Sequence, residues 1–251
     1  MLDKFFFSPT LKNRIDKPVI EKINKGFSQD SFNHISATSL NTKLVLSQAQ
    51  EEPIFYAIQK AIPSSCLITV YYEQTGQKTQ NWTGSGFLIQ PGMVVTSNHV
   101  LPDENGASVI KVSFEDSQKY SAKVYSQNVD LDIGVLSIEN KNIPPIPIAQ
   151  SMPVPGEKIA VIGAPEGWEN VVTVGYVSAV NMTPAKLPEP SWQDMIFIDA
   201  DIYEGSSGSM VINSEGEVIG VVMGIIGKEA AEKNIGQNAV VPIYRVLDAI
   251  K

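Results

Sequence analysis

From residue 64 almost to the end, short β-rich runs alternate with turn signals: "CLITVYY", "GSGFLI", "MVVTS", "VIKVSF", "SAKVYS", "IGVLSI", then "KIAVIG", "VVTVGYVSAV", "MIFIDA", "SMVIN", "EVIGVVM" and "NAVVPI". Val, Ile, Thr and Tyr dominate the runs, and Gly, Pro, Asn, Asp and Ser cluster between them. That is strand and turn chemistry. A dozen short strands at this spacing predict an all-β chain, either a barrel or a pair of packed sheets. The closing "IYRVLDAIK" places Ile243, Val246, Leu247 and Ile250 on one side, which predicts a helix over 243–251. A further helix is predicted at "EEPIFYAIQKAI", with Pro53 near its start and Pro63 beyond its end. Residues 1–50 differ: they are polar, rich in Asn, Ser and Lys, and weakly periodic. They read as a partly ordered arm with one short helix, capped by Asp16, with Pro18 in its first turn and Gly26 at its end.

Composition removes several classes of function. A formal net charge of -8 argues against a phosphate-binding surface, and so against nucleic acid and anionic lipid as partners. One cysteine excludes an internal disulfide; Cys66, inside "SSCLITVYY", reads as a small core hydrophobe. Two histidines and one cysteine build no zinc-type cluster, and no metal or other cofactor is expected. No apolar run approaches the roughly 18 residues needed to cross a bilayer. The start, "MLDKFFFSPTLKNRIDK", has too short an apolar patch for a signal-peptide core, so the expected compartment is the cytoplasm by default.

The stretch "DADIYEGSSGSMVINSEGEVIGVV" holds Ser206, Ser207 and Ser209 close together. A nucleophilic serine needs a base, and the base needs an orienting acid. The sequence has only His34 and His99. His34 lies in the polar arm and reads as solvated. His99 leaves an apolar strand in "MVVTSNHVL", where a hairpin with "GSGFLI" delivers the imidazole to a rigid edge. In "NVDLDIGVLSI", Asp132 abuts the buried strand, whereas Asp130 lies two residues further out, toward solvent. The chain order is then His99, Asp132 and a serine near 207. That order matches the chymotrypsin arrangement and differs from the subtilisin and α/β-hydrolase orders.

These motifs together resemble the chymotrypsin-fold serine proteases, and within them the HtrA/Deg branch. "GSGFLI" with "TSNHV" is similar to that branch's histidine motif. "IKVSFEDSQKYSAKVYSQNVDLDIGVLSI" resembles its run into the aspartate, and "KIAVIGAPEGWENVVTVGYVSAV" its entry into the second barrel. "IDADIYEGSSGSMVINSEGEVIGVV" resembles the nucleophile segment, and "NAVVPIYRVLDAI" the closing strand and helix. The resemblance covers about residues 52–251. It implies two six-stranded antiparallel β-barrels, at about 64–140 and 145–242, a C-terminal helix and a separate N-terminal arm. It also implies a serine endopeptidase acting on polypeptides, with a role in protein quality control or processing. In the family's G-x-S-G pattern the third position is the nucleophile, which falls on Ser207. The backbone N–H groups of Gly205 and Ser207 would form the oxyanion hole, with His99 as base and Asp132 as its orienting acid.

The resemblance carries three departures. Ser209-Met210 stands where the family has Gly-Pro. With the sequence running to Lys251, no peptide-binding PDZ domain is expected, and no export signal is evident. Asp201 falls where trypsin-like relatives place the acid that selects Lys or Arg, and Ile225 falls where a large side chain narrows that pocket. The expectation is cleavage after small or medium aliphatic residues. The arm is a candidate homo-oligomerisation element, a trimer through "KFFF". The alternative from another class is a non-catalytic or latent peptide-binding, chaperone-like scaffold of the same fold.

Overall fold

The computed structural model describes residues 53–74, 77–102, 108–115, 118–139, 142–182, 193–225 and 238–250, with backbone alone at 73–74, 77–81, Ser108 and Ile225. The N-terminal arm, with its expected helix and His34, lies outside the described residues, as does its expected part in oligomerisation.

Helix α1 (Pro53–Ala61) leads into twelve strands, and helix α2 (Ile243–Ala249) follows them. The first six strands are β1 (Ser65–Gln74), β2 (Gln77–Gln90), β3 (Met93–Ser97), β4 (Ser108–Ser113), β5 (Lys119–Asn128) and β6 (Ile133–Ile138). The second six are β7 (Lys158–Gly163), β8 (Val171–Met182), β9 (Met195–Ile198), β10 (Met210–Ile212), β11 (Val218–Ile225) and β12 (Asn238–Pro242). Each set closes into its own barrel, in the orders β1-β2-β3-β6-β5-β4 and β7-β8-β9-β12-β11-β10. The two orders are the same pattern repeated, with antiparallel pairing between all neighbours in both barrels. Closure removes the exposed edges that an open sheet would leave. It also decides between the two architectures that strand spacing allowed, in favour of the two six-stranded barrels that the resemblance implied.

The continuous apolar runs have a physical reason. Side chains along a strand alternate between faces, and here both faces are buried. In the first barrel Leu88, Val94 and Leu136 pack inward with Ile68 and Val112. Their immediate neighbours Phe87, Val95 and Val135 point the other way, into a cluster shared with Ile162, Met210 and Val221 of the second barrel. The register agrees, because Phe87 pairs Val95 and Leu88 pairs Val94, while Val95 pairs Val135 and Val94 pairs Leu136. Ile159, Val161, Ile196, Val211 and Val222 fill the second barrel. Helix α1 buries Ile54, Ala57 and Ala61, one face of the helix, in the shared cluster. Cys66 is a buried member of the first barrel's core, and that burial, with a smaller push from Glu169, drives its thiol pKa far up.

Two features lay beyond the pattern. Strand β2 begins at Gln77, well before "GSGFLI", because its polar first half pairs with the far end of β1, Gln77 against Gln74. Helix α2 stops at Ala249.

Candidate active site

His99 and Asp132 come from the first barrel. His99 sits in a single 3-10 turn, Asn98–Val100, directly after β3. Asp132 closes the turn before β6 in a left-handed conformation with φ 55, which Asp tolerates better than most residues. Three hydrogen bonds lock the two segments together. The Asn98 N–H donates to the Asp132 carbonyl at 2.9 Å. The His99 N–H donates to Asp132 Oδ1 at 2.9 Å, and His99 Nδ1 lies 2.7 Å from Asp132 Oδ2. An ionised carboxylate only accepts, so Nδ1 carries the proton and Nε2 keeps its lone pair. The His99 side chain is 52% exposed and that of Asp132 14%, so the acid is shielded and the ring faces the open side. The hydrogen bond to Asp132, reinforced by its charge and opposed by partial burial, raises the imidazole pKa above its ordinary value. Asp130 is exposed.

The serines come from the second barrel, in the loop between β9 and β10. Ser206 and Ser209 are buried, whereas Ser207 is half-buried. Ser206 Oγ is occupied as the acceptor for the Tyr203 N–H at 3.0 Å. Ser209 Oγ is buried without a protein partner. Ser207 Oγ lies 3.5 Å from the Met223 carbonyl, at the limit of a hydrogen bond, and among the described residues no hydrogen bond joins it to His99.

The loop is held by its carbonyls. The Glu204 carbonyl accepts from the Glu166 N–H at 3.0 Å, and the Ser206 carbonyl from the Ser209 N–H at 2.9 Å. In a trans peptide the N–H points opposite to the C=O. The N–H groups of Gly205 and Ser207 therefore turn away from those anchors, and among the described residues neither donates to a protein acceptor. Gly205 has φ +86 and packs so closely on the 165–166 turn that a Cβ would stand 2.9 Å from the Glu166 nitrogen.

The two pocket candidates come from the second barrel, Asp201 from the loop between β9 and β10 and Ile225 from β11. Asp201 is exposed, its carbonyl accepts from Thr173 Oγ1 at 2.7 Å, and it borders a small cavity with Tyr203, Ser206 and Ser209. Ile225 ends β11 with its backbone paired to Asn238, and its side chain lies outside the described residues. Sequence reasoning did not single out Ser85, Ser97 or the Met223 carbonyl. Ser97 Oγ donates across to the Val222 carbonyl at 3.1 Å. The flanking glycines of "GSG" were the signal for Ser85, since a Cβ at Gly84 or Gly86 would collide with Val100 or with Ile68 and Val94.

Among the described residues no helix is long and apolar enough to cross a membrane, and no group of His, Cys, Asp and Glu could hold a metal ion. Twin barrels of one topology, the first carrying the His99–Asp132 pair and the second a tightly turned Gly-Ser-Ser-Gly loop, define a chymotrypsin-like fold. The trypsin-like peptidase domain matches residues 84–221, over half of the chain, and the protein belongs to that family. Its relatives are serine proteases of the HtrA/DegP kind. It is 39% identical over 142 residues to the putative serine protease HhoB of Synechocystis, covering 55% of this chain and 33% of that protein. It is 37% identical over 150 residues to a probable periplasmic serine endoprotease DegP-like of Marinomonas, covering 59% and 30%. Over 157 residues it is 36% identical to the periplasmic serine endoprotease DegP of Salmonella typhimurium, covering 61% and 32%. The matches thus span about a third of each relative's length.

Proposed function

We propose that the protein is a serine endopeptidase that hydrolyses peptide bonds through Ser207, His99 and Asp132. The observation that carries this reading is the Asp132-oriented imidazole, with Nδ1 2.7 Å from Oδ2. It frees Nε2 as a base in the barrel pair whose second member presents the half-buried Ser207. Ser207 Oγ attacks the scissile carbonyl carbon as His99 Nε2 takes its proton. The oxyanion that forms is held by the N–H groups of Gly205 and Ser207, neither of which donates to an acceptor among the described residues. Collapse breaks the C–N bond, and the imidazolium gives its proton to the leaving amine. A water, deprotonated by His99, then cleaves the acyl ester and restores Ser207. Asp132 keeps the tautomer and stabilises the imidazolium. By likeness to its serine endoprotease relatives, the substrates are polypeptides.

A fluorophosphonate that reacts only with activated serines tests this. It should label the wild type at Ser207, and neither Ser207→Ala nor His99→Ala should be labelled. Ser206→Ala should still label, because its hydroxyl serves the loop. Labelling that survives Ser207→Ala would place the nucleophile elsewhere. A second reading, a latent peptidase, is favoured by the 3.5 Å contact of Ser207 Oγ with Met223 rather than with His99. It predicts slow labelling of the free protein that accelerates when an unfolded polypeptide is added.

A further inference from the structure

Strand β2 crosses from the first barrel to the nucleophile loop of the second at one residue, Ser85. Ser85 stands two positions before Phe87, and so on the same face of the strand, the face that packs into the cluster shared by the barrels. Its side chain is fully buried. Ser85 Oγ donates to the Gly205 carbonyl at 2.7 Å and accepts from the Ala164 N–H at 2.8 Å. The Ser85 N–H donates to the Ser207 carbonyl at 2.9 Å. One residue thus grips both ends of Gly205–Ser207. Through Ala164 it also pins the turn whose Glu166 N–H holds the Glu204 carbonyl. That carbonyl belongs to the peptide unit supplying the Gly205 N–H. The packing is tight on the Gly163 side, where an added Cβ would stand 2.7 Å from Ser85 Oγ.

We propose that Ser85 is a positioning residue for catalysis, its hydroxyl setting the orientation of the Gly205 N–H by tying the nucleophile loop to the 164–167 turn. This rests on the reading of Ser207 as nucleophile and Gly205 as oxyanion donor. Without the hydroxyl, the Gly205 carbonyl and the Ala164 N–H both lose their partner in a buried interface. The cheapest relief is rotation of the 205–206 peptide together with a shift of the 164–167 turn, which loosens the grip of the Glu166 N–H on the Glu204 carbonyl and so re-aims the 204–205 peptide that carries the Gly205 N–H. An oxyanion donor removed outright costs about 10²–10³ in turnover. One that remains but is mis-aimed should cost about 10–10².

The experiment compares wild type, Ser85→Ala, Ser85→Cys and, as a stability control far from the loop, Ile138→Ala in the first barrel's core. The readouts are the second-order rate of fluorophosphonate labelling, kcat and KM on an activated peptide ester, and the melting temperature. Ser85→Ala should lower the labelling rate and kcat together by about 10–10², with KM within about twofold. Ser85→Cys, which keeps the shape and folds even if the alanine variant does not, should fall between wild type and alanine because a thiol is a weak donor. Ile138→Ala should melt earlier with kcat unchanged. The proposal is overturned if both Ser85 variants keep kcat within twofold, or if Ile138→Ala loses as much kcat for the same drop in melting temperature. A wild type that is not labelled at Ser207 removes the nucleophile reading instead, and this inference with it.

Discussion

Gly208 offers the sharpest test of how the two barrels meet. It directly follows the candidate nucleophile and has φ +86. A Cβ added there would overlap the Ser85 carbonyl oxygen and stand 2.5 Å from Thr96 Oγ1 and 3.0 Å from the Ser97 nitrogen. All three contacts belong to the first barrel, and two are backbone atoms of strands that cannot retreat without breaking the barrel's ladder. Its own N–H is tied to the Val222 carbonyl at 2.8 Å, so the loop cannot slide away either. For Gly208→Ala, the left-handed backbone alone costs about 1–2 kcal/mol. Overpacking against rigid neighbours adds about 1–3 kcal/mol, for a total of about 2–5 kcal/mol. At about 2–4 °C per kcal/mol for a domain of this size, the melting temperature should fall by roughly 4–20 °C. Gly156 separates the two contributions, since it has φ +88 with nothing within 4 Å of its added Cβ. Gly156→Ala should cost only the backbone share, about 1–2 kcal/mol. The assay is thermal and urea unfolding of both variants beside wild type, with fluorophosphonate labelling as a measure of the loop. Equal destabilisation of the two variants would refute the close approach of the barrels at Gly208.

The remaining predictions concern chemistry. Asp132→Asn should cut turnover by roughly 10⁴ with the fold intact, because the amide favours the wrong imidazole tautomer, while Asp130→Asn should change it little; steady-state kinetics on both variants decides, and equal losses would detach the acid from Asp132. Since Asp132 raises the His99 pKa, kcat/KM should climb with pH through a midpoint above the ordinary imidazole value of about 6.5, and a midpoint at or below that value would contradict the pairing. The same shift has a sign for stability. The charged imidazole is favoured by the fold, so its contribution is complete below the unfolded pKa and fades as pH rises through the folded one. The melting-temperature difference between wild type and His99→Gln should therefore shrink on going from acid to alkaline pH. For specificity, Ile225→Gly should add cleavage after Lys or Arg and a further Asp201→Ala should remove that gain, read by profiling cleavage sites on a denatured proteome. No new basic cleavage would mean that Asp201 lies outside the pocket.

Local chemistry made much of this protein readable from its residues alone. Alternating and continuous apolar runs depend only on which side chains prefer a pleated, buried backbone, so the twelve strands and helices α1 and α2 were legible with end errors of a few residues. The polar first half of β2 was not, because Gln77–Thr83 becomes a strand only by pairing with the far end of β1, a partner no local pattern names. Strand spacing alone left barrel and sandwich open, and the two barrels came from the family resemblance, since closure depends on β4 returning to β1 and β10 to β7, which no local pattern shows. At the site, the residue types were visible: a scarce histidine, an aspartate against a strand, serines in a glycine turn. Which aspartate meets the ring was inferred from its distance to β6, and the 2.7 Å contact of Asp132 depends on a left-handed turn invisible in the letters. The role of Ser85 is the clearest case of the limit. Between two glycines it reads as a turn or an ordinary strand residue. Its grip on Gly205 and Ser207 exists only because a strand of one barrel lies against a loop more than a hundred residues later in the chain. Period and composition report the environment of a residue, whereas the partner across a barrel interface is set by the packing of the whole fold.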